Sequence, residues 1–306
     1  MNKILITGGA GYVGSALLNN DVFPSEKYQV TIYDNLSRNN YNIFTAPLNN
    51  KKNIFVQGDL LDSHKLNMAL KDIDTVIHLA ATVTTPFSEK NSHSFEQNNH
   101  WGTAELCSLI ENSSVKRFIY LSSVSVYGEG TQGFTIESNP RPTSHYSTSK
   151  LRAEQQLSRL PDKIRTTILR TGSVFGIAPV TRFETVINKF MLEGSLYNKI
   201  LIEGSGEQKR SFISINSLSK IIKSAVENNL NEHLYNAVEY SASINELSHL
   251  IKNIFPKLEI GHVDQNYLFP NSFTEKDPRL DAYLMNKVEV EAYCKTIKET
   301  LSFCEL

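Results

Sequence analysis

Tyr146 and Lys150 stand four residues apart in a helical pattern, a spacing that projects both side chains from one face. An ammonium beside a phenol favours the phenolate and lowers its pKa from about 10, which would let Tyr146 work as a general base near neutral pH. A second set sits near the amino terminus. There Gly9-x-Gly11-x-x-Gly14, with Gly8 ahead of it, follows the strand-like run Ile4 to Thr7 and opens a helical one. Glycines at this place permit a tight turn and let the backbone approach a pyrophosphate at a helix N-terminus. Asp34 ends the next strand-like run about twenty residues beyond Gly14, where a carboxylate accepts hydrogen bonds from an adenosine ribose. A glycine-rich turn that binds nothing would leave that placement unexplained. A carboxylate there repels a 2′-phosphate, so the expected cofactor is NAD rather than NADP, with Arg38 read as a solvated loop cation. Asp59, in Gly58-Asp59-Leu60, either hydrogen-bonds the adenine or caps the following helix.

These residues need a scaffold, and the pattern supplies one. Ile4 to Thr7, Val30 to Tyr33, Ile54 to Gln57, Thr75 to Leu79, Phe118 to Leu121 and Thr166 to Leu169 read as short apolar strands. Helical patterns run over Gly11 to Asn20, His64 to Leu70, Ser94 to Glu111 and Tyr146 to Leu160. Strands alternating with crossover helices predict an α/β fold with a doubly wound parallel sheet. The boundary falls at 1–174 for the dinucleotide-binding domain that carries Tyr146 and Lys150. Residues 175–306 form mainly a smaller lobe, part of which returns to the sheet. In that lobe the expected helices are Arg182 to Glu193, Ser217 to Glu227 and Ile244 to Ile254, and the lobe is expected on the carboxyl edge of the sheet. The Asn-rich stretch 35–53 reads as solvated loop.

The chain has 306 residues, 40% of them hydrophobic and 21% charged, which is ordinary for a globular protein. Its net charge of −1 gives no electrostatic reason to expect nucleic acid or a membrane surface as partner. Cys107, Cys294 and Cys304 form no CxxC pair, so a reduced, cytoplasmic protein is expected. No apolar run reaches the roughly 18 to 20 residues that span a bilayer, and the first residues are too short for a signal-peptide core. His78, at the end of an apolar strand, reads as a hydrogen-bonded core residue, and no metal is expected. Trp101 reads as helix packing.

Further segments join the picture: Asp34-Asn35-Leu36, His78-Leu79-Ala80-Ala81, Ser122-Ser123-Val124-Ser125-Val126-Tyr127-Gly128, Leu169-Arg-Thr-Gly-Ser173-Val-Phe-Gly176 and Arg210-Ser-Phe-Ile-Ser214. With the glycine turn and Tyr146-x-x-x-Lys150, they make the chain resemble the extended short-chain dehydrogenase/reductase family, in its nucleotide-sugar epimerase and dehydratase branch. The resemblance covers about residues 3–225 closely and the remainder loosely. It implies a Rossmann-like sheet with a smaller C-terminal α/β substrate lobe, NAD as cofactor and a nucleotide-sugar substrate. It also implies a homodimer through the helices matching Ser94 to Glu111 and Tyr146 to Leu160. Ser123 would hydrogen-bond the reacting hydroxyl, Tyr146 would take its proton, and Lys150 would hold the nicotinamide ribose. Gly8, Gly11, Tyr12, Val13, Gly14, Asp34, Asn35, Asp59, Leu60, Leu79, Ala80 and Ala81 would contact the cofactor. Asn99 is either a cofactor neighbour or a helix-initiating residue. Ser125 and Ser173 either touch substrate or serve their turns. Arg210 matches the arginine that grips the substrate diphosphate, and Arg279 is a second phosphate contact if the loose alignment near it holds.

The same resemblance separates reactions by the residues after the serine. The 4,6-dehydratases carry an acidic pair there and decarboxylating relatives a glutamate, whereas this chain has Val124 and Ser125. The expected activity is epimerisation at C4 of a nucleotide sugar through a 4-keto intermediate. The alternatives are a C4 dehydrogenase or 4-ketoreductase, and a non-catalytic nucleotide-binding regulator.

Overall fold

The computed structural model describes residues 1–19, 22–44, 53–83 and 92–302. Positions 45–52 of the Asn-rich stretch, and Cys304, lie outside them. The first half alternates β1 (Asn2–Thr7), α1 (Tyr12–Asn19), β2 (Tyr28–Asp34), β3 (Ile54–Gln57), α2 (Ser63–Ala69) and β4 (Thr75–His78). Next come α3 (Ser92–Phe95), a π-helical turn over Glu96–Trp101, α4 (Gly102–Glu111), β5 (Arg117–Ser123), α5 (His145–Leu157) and β6 (Arg165–Thr171). The second half holds β7 (Ser173–Phe175), α6 (Val186–Tyr197), β8 (Lys199–Glu203), β9 (Lys209–Ser214), α7 (Ile215–Val226) and β10 (Leu234–Ala237). It ends with β11 (Tyr240–Ser243), α8 (Ile244–Ile254), β12 (Glu259–Val263) and α9 (Lys287–Leu301).

Seven strands form one parallel sheet in the order β10-β6-β5-β4-β1-β2-β3. Six of them repeat the 3-2-1-4-5-6 order of the dinucleotide-binding fold, and the direction in which successive strands are added reverses between β1 and β4, which run parallel, at the point where such sheets open a ligand crevice. Both faces are covered, so the central strands are buried nearly throughout, as in Ile4, Leu5 and Ile6 at 0% exposure. One face packs Ile4, Ile6, Ile32 and Ile77 against α1 and α7, and the other packs Leu5, Val76 and Phe118 against Leu106, Ile110 and Leu157 of α4 and α5.

The chain beyond 174 divides its work. α7 and β10 return to the large sheet, supplying Leu218, Ile221, Ile222 and Tyr235 to its core. The rest builds a separate core from Phe190, Met191, Phe212, Leu247 and Cys294 around a three-stranded sheet (β11-β9-β7) and the pair β12-β8. The wholly buried carboxylate of Glu239 joins these parts. It accepts the Ser214 amide at 2.7 Å, the Met285 amide at 3.0 Å and the Ser214 and Ser217 hydroxyls.

Two elements depart from expectation. The helix expected at Arg182 begins instead at Val186, because Thr185 takes extended backbone (φ −75°, ψ 140°) after the turn that follows Pro179. Arg182 and Glu184 are therefore loop residues. The last helix, α9, is additional to the expected elements, although its sequence carries helical signals. Asn286 and Glu289 form a reciprocal capping box, and Val290, Cys294, Ile297 and Leu301 repeat at helical spacing. Among the described residues no helix is long and apolar enough to cross a membrane.

Candidate active site

The carboxyl ends of β1, β2, β4, β5 and β6 open into a cleft of about 820 Å³, closed on its other side by β9, the start of α8 and the loop before α6. At one end is the glycine turn. Gly8 has a φ of +70°, and a Cβ there would stand 2.5 Å from the Ala80 amide nitrogen. A Cβ on Gly14 would strike the Gly9 carbonyl, so only glycine lets α1 begin this close to β1. Gly8, Gly11, Tyr12, Val13 and Gly14 face the cleft, as do Asp34, Asn35, Asp59, Leu60, Leu79, Ala80 and Ala81.

The Asp34 carboxylate accepts the Ala10 amide at 3.0 Å and the Leu36 amide at 2.8 Å, which fixes it against the turn. Burial raises its pKa, with those two bonds opposing. Each oxygen has acceptor capacity left for a ribose hydroxyl. Asp59 accepts from Asn35 at 2.8 Å and from the Leu61 amide at 3.0 Å. It does not cap α2, since Asp62 occupies that position and accepts the Lys65 amide. The turn, the helix start and Asp34 together fit an NAD, with the pyrophosphate over the turn and the adenosine at Asp34.

Ser123, Tyr146 and Lys150 line the same cleft. Ser123 ends β5 and its Oγ accepts the Ser125 hydroxyl at 2.9 Å and amide at 3.2 Å, which leaves its own hydrogen to donate. α5 is started by a capping box between Ser144 and Ser147, so Tyr146 and Lys150 sit in its first turns. Lys150 is 3% exposed, donates from Nζ to the Leu121 carbonyl at 2.5 Å and lies 4.2 Å from the Tyr120 ring centroid. Burial lowers its pKa to about 7, opposed by Glu154. Burial also raises that of Tyr146, and Arg182 and hydrogen bonding to Ser123 pull it back down. Arg182 is thus a cation that favours the phenolate in this structure. Ser125, Ser173 and Arg210 are also in the cleft wall; Arg210 is held by the Lys209 and Pro270 carbonyls at 2.9 and 2.8 Å.

Two expected site residues are elsewhere. Asn99 is buried inside the π-helical turn and its amide is spent on Thr82 N and O and on Ser149 Oγ. It neither starts a helix nor lines the cleft, and its neighbour Asn98 does. Arg279 lies away from the cleft wall. Asp277 takes its guanidinium at 2.8 and 2.5 Å, the Leu234 carbonyl accepts a third bond, and the Tyr235 ring lies 4.7 Å from it. Arg38 is an exposed loop cation, as expected, and it also has a partner. It crosses the cleft to Glu184 at 3.0 Å. Trp101 is 57% exposed, so packing within the chain does not account for it. His78 is buried with both ring nitrogens bonded, to Thr7 at 2.6 Å and Thr103 at 2.9 Å; burial pushes its pKa down to about 3. Sequence reasoning missed Arg182 as a site residue; its position in an Arg-Phe-Glu segment was the available signal.

With this geometry in view, the chain resembles known proteins as follows. It is 33% identical over 217 residues to dTDP-D-glucose 4,6-dehydratase of Mus musculus, covering 69% of this chain and 61% of the relative, so it spans about three fifths of that protein's length. It is 30% identical over 282 residues to a putative UDP-glucose 4-epimerase of Methanocaldococcus jannaschii, covering 87% of this chain and 89% of the relative. Among solved structures, the UDP-N-acetylglucosamine 4-epimerase of Methanobrevibacter ruminantium, in complex with UDP-N-acetylmuramic acid, superposes with a TM-score of 0.83 at 26% identity, covering 99% and 98% of the two chains. Residues 4–237 match the NAD dependent epimerase/dehydratase family, and it is to this family that the chain belongs.

Proposed function

We propose that this chain is an NAD-dependent epimerase acting at C4 of a nucleotide-activated sugar. One observation carries the choice among the family's reactions. Ser123, Tyr146 and Lys150 share a cleft whose only carboxylates, among the described residues, are Asp34 and Asp59 around the adenosine position and Glu184, which is paired with Arg38 and Arg182. Elimination of water across the sugar needs an acid and a base beside the serine, and Val124 and Ser125 supply neither.

In this reading Ser123 turns its hydroxyl hydrogen from the Tyr146 oxygen to the C4 oxygen, and Tyr146, as phenolate, accepts the hydroxyl proton. Lys150 holds the nicotinamide ribose through the face it shares with Tyr146. NAD, when bound, supplies the acceptor and later the donor of the C4 hydride. Tyr146 returns the proton when the 4-keto sugar has turned and been reduced on its other face. Arg210 is placed to take the diphosphate, a task that suits its planar fork. Cys107 and Cys294, both buried and free, suit the reducing cytoplasm that we propose as its compartment.

The similarity to 4,6-dehydratases favours a second reading, and one experiment separates the two. UDP-, GDP-, CDP- and dTDP-sugars are incubated with the protein and NAD and resolved by chromatography and mass. A same-mass isomer is the expected result. A product lighter by one water would establish dehydration, and one lighter by two hydrogens, with NADH formed, a dehydrogenase.

We also propose a homodimer. The turn before α4 lies against α5, with Arg152 to Glu96 at 2.9 Å and Gln156 to His100 at 3.0 Å, and leaves Trp101 outside. Pairing this helical face with a second copy would bury the indole in a four-helix arrangement. Light scattering should give twice the 34.5 kDa chain mass, and Trp101→Glu should halve it. A monomer at every concentration would refute the pairing.

A further inference from the structure

Behind the reacting side chains lies a buried ionic cluster that the chemistry above does not use. Ser122 Oγ donates to Glu154 at 2.5 Å, and Arg170 forks onto the same carboxylate at 3.0 and 2.6 Å. Ser122 and Arg170 are register partners on β5 and β6, while Glu154 lies on α5 one turn beyond Lys150. None of the three is more than 6% exposed. The guanidinium rests 4.7 Å from the Tyr127 ring centroid, and the Tyr127 hydroxyl donates to Asn236 on β10 at 2.8 Å.

Taking such a pair out of water costs several kcal/mol, and apolar residues of the same volume often serve stability as well or better. What the cluster adds is direction, because a bidentate fork and a serine bond fix both the slide and the rotation of α5 against two strands. A further bond, Lys150 Nζ to the Leu121 carbonyl, joins the same helix to the same strand end. Leu121 and Ser122 are therefore both tied to α5, and the next residue is Ser123.

We propose that Ser122, Glu154 and Arg170 are positioning residues of the reaction, locking α5 to the carboxyl ends of β5 and β6 so that Lys150, Tyr146 and Ser123 keep one geometry. The inference rests on the catalytic reading of those three side chains. Sites of this kind lose rate when their groups shift by about half an ångström.

Ser122→Ala is the informative variant, because it removes the strand's side-chain link yet leaves the Glu154–Arg170 pair and every charge in place. Its first readout needs no substrate: trace acetylation of Lys150 across pH 5 to 9, followed by mass spectrometry, reports the ionisation of that amine. The groups around Lys150 are Glu154 and Tyr146 on its own helix, the Tyr120 ring on β5 and the neutral His78 on β4. The variant changes the charge of none of them but removes the serine hydrogen bond to Glu154, so the midpoint reports the link between the cluster and the ammonium, and the kcat-against-KM split below reports position. Release of α5 should let water reach the ammonium and raise the Lys150 midpoint by about one unit, tenfold in the protonation equilibrium. Ser122→Thr, which keeps the hydroxyl, should restore it. In turnover, Ser122→Ala should lose about tenfold in kcat with KM and bound NAD within about twofold. An unmoved Lys150 midpoint would overturn the proposal. So would a loss spread equally over kcat, KM and bound NAD that Ser122→Thr fails to rescue, since that marks general loosening. Undiminished turnover in Tyr146→Phe would instead sink the catalytic reading, so the two failures are distinct.

Discussion

Tyr146→Phe is expected to lower kcat by about a thousandfold while the protein still binds NAD, because general-base transfer contributes on the order of 10² to 10⁴ and the ring itself stays in place. The edge-on contact of this ring with Phe95, at 5.9 Å between centroids, needs no hydroxyl, so folding should be unaffected. The lost function is specific. In the wild type, burial raises the phenol pKa and Arg182 with Ser123 draws it down, so turnover should climb with pH as the phenolate forms. The Phe variant should show no such limb. Steady-state assays of isomer formation across pH, beside the NAD content of the purified proteins, check both statements. Turnover within tenfold of wild type in the variant would remove Tyr146 from the chemistry.

Lys150→Met should separate activity from stability in the opposite direction. The amine is buried against Leu121 and Tyr120, and its pKa falls to about 7, whereas in the unfolded chain it is about 10.4. Between these values the unfolded state holds the extra proton, so this group makes stability rise with pH from about 7 towards 10. Below pH 7 both states are protonated and the full cost of the buried ammonium is present. Methionine removes that cost. After the lost hydrogen bond and cation–π contact are set against it, we expect NAD-free Lys150→Met to be more stable than wild type by about 2 kcal/mol at pH 6, with the gap closing towards pH 10. Turnover should fall by more than about a hundredfold, an instance of function held at the expense of stability. Urea midpoints of the two proteins at pH 6 and pH 9 decide it. A variant less stable than wild type at pH 6, or a gap that does not change with pH, would show that Lys150 is not held as a strained cation.

Much of the molecule is legible in its sequence. The six strands of the first half lie within two residues of their expected bounds, because strands covered on both faces must be continuously apolar. The glycine turn was readable because its constraint is local: a positive φ at Gly8 and the collision waiting at Gly14 admit one residue type. Tyr146 and Lys150 were readable for the same reason, as a helix repeats its face every four residues whatever surrounds it.

Tertiary structure decided what depends on phase, on capture by a neighbour, or on pairing across the cleft. Whether Asn98 or Asn99 meets the cleft turns on a π-helical turn, which adds a residue to the helical repeat and rotates every face around it. Arg279 is turned from the cleft by Asp277, two residues before it, whose buried carboxylate accepts from two nitrogens of its guanidinium. Arg38 and Glu184 are far apart in the chain and meet only because the loop before α6 folds over the dinucleotide turn. The same loop brings Arg182 to bear on Tyr146, where its charge favours the phenolate. By itself, the sequence determined the backbone turns and the helix face that carry the chemistry, since near neighbours impose these. Which cations, amides and carboxylates surround that chemistry was decided only on folding, because long polar side chains go to whichever partner the packed strands and loops bring within reach.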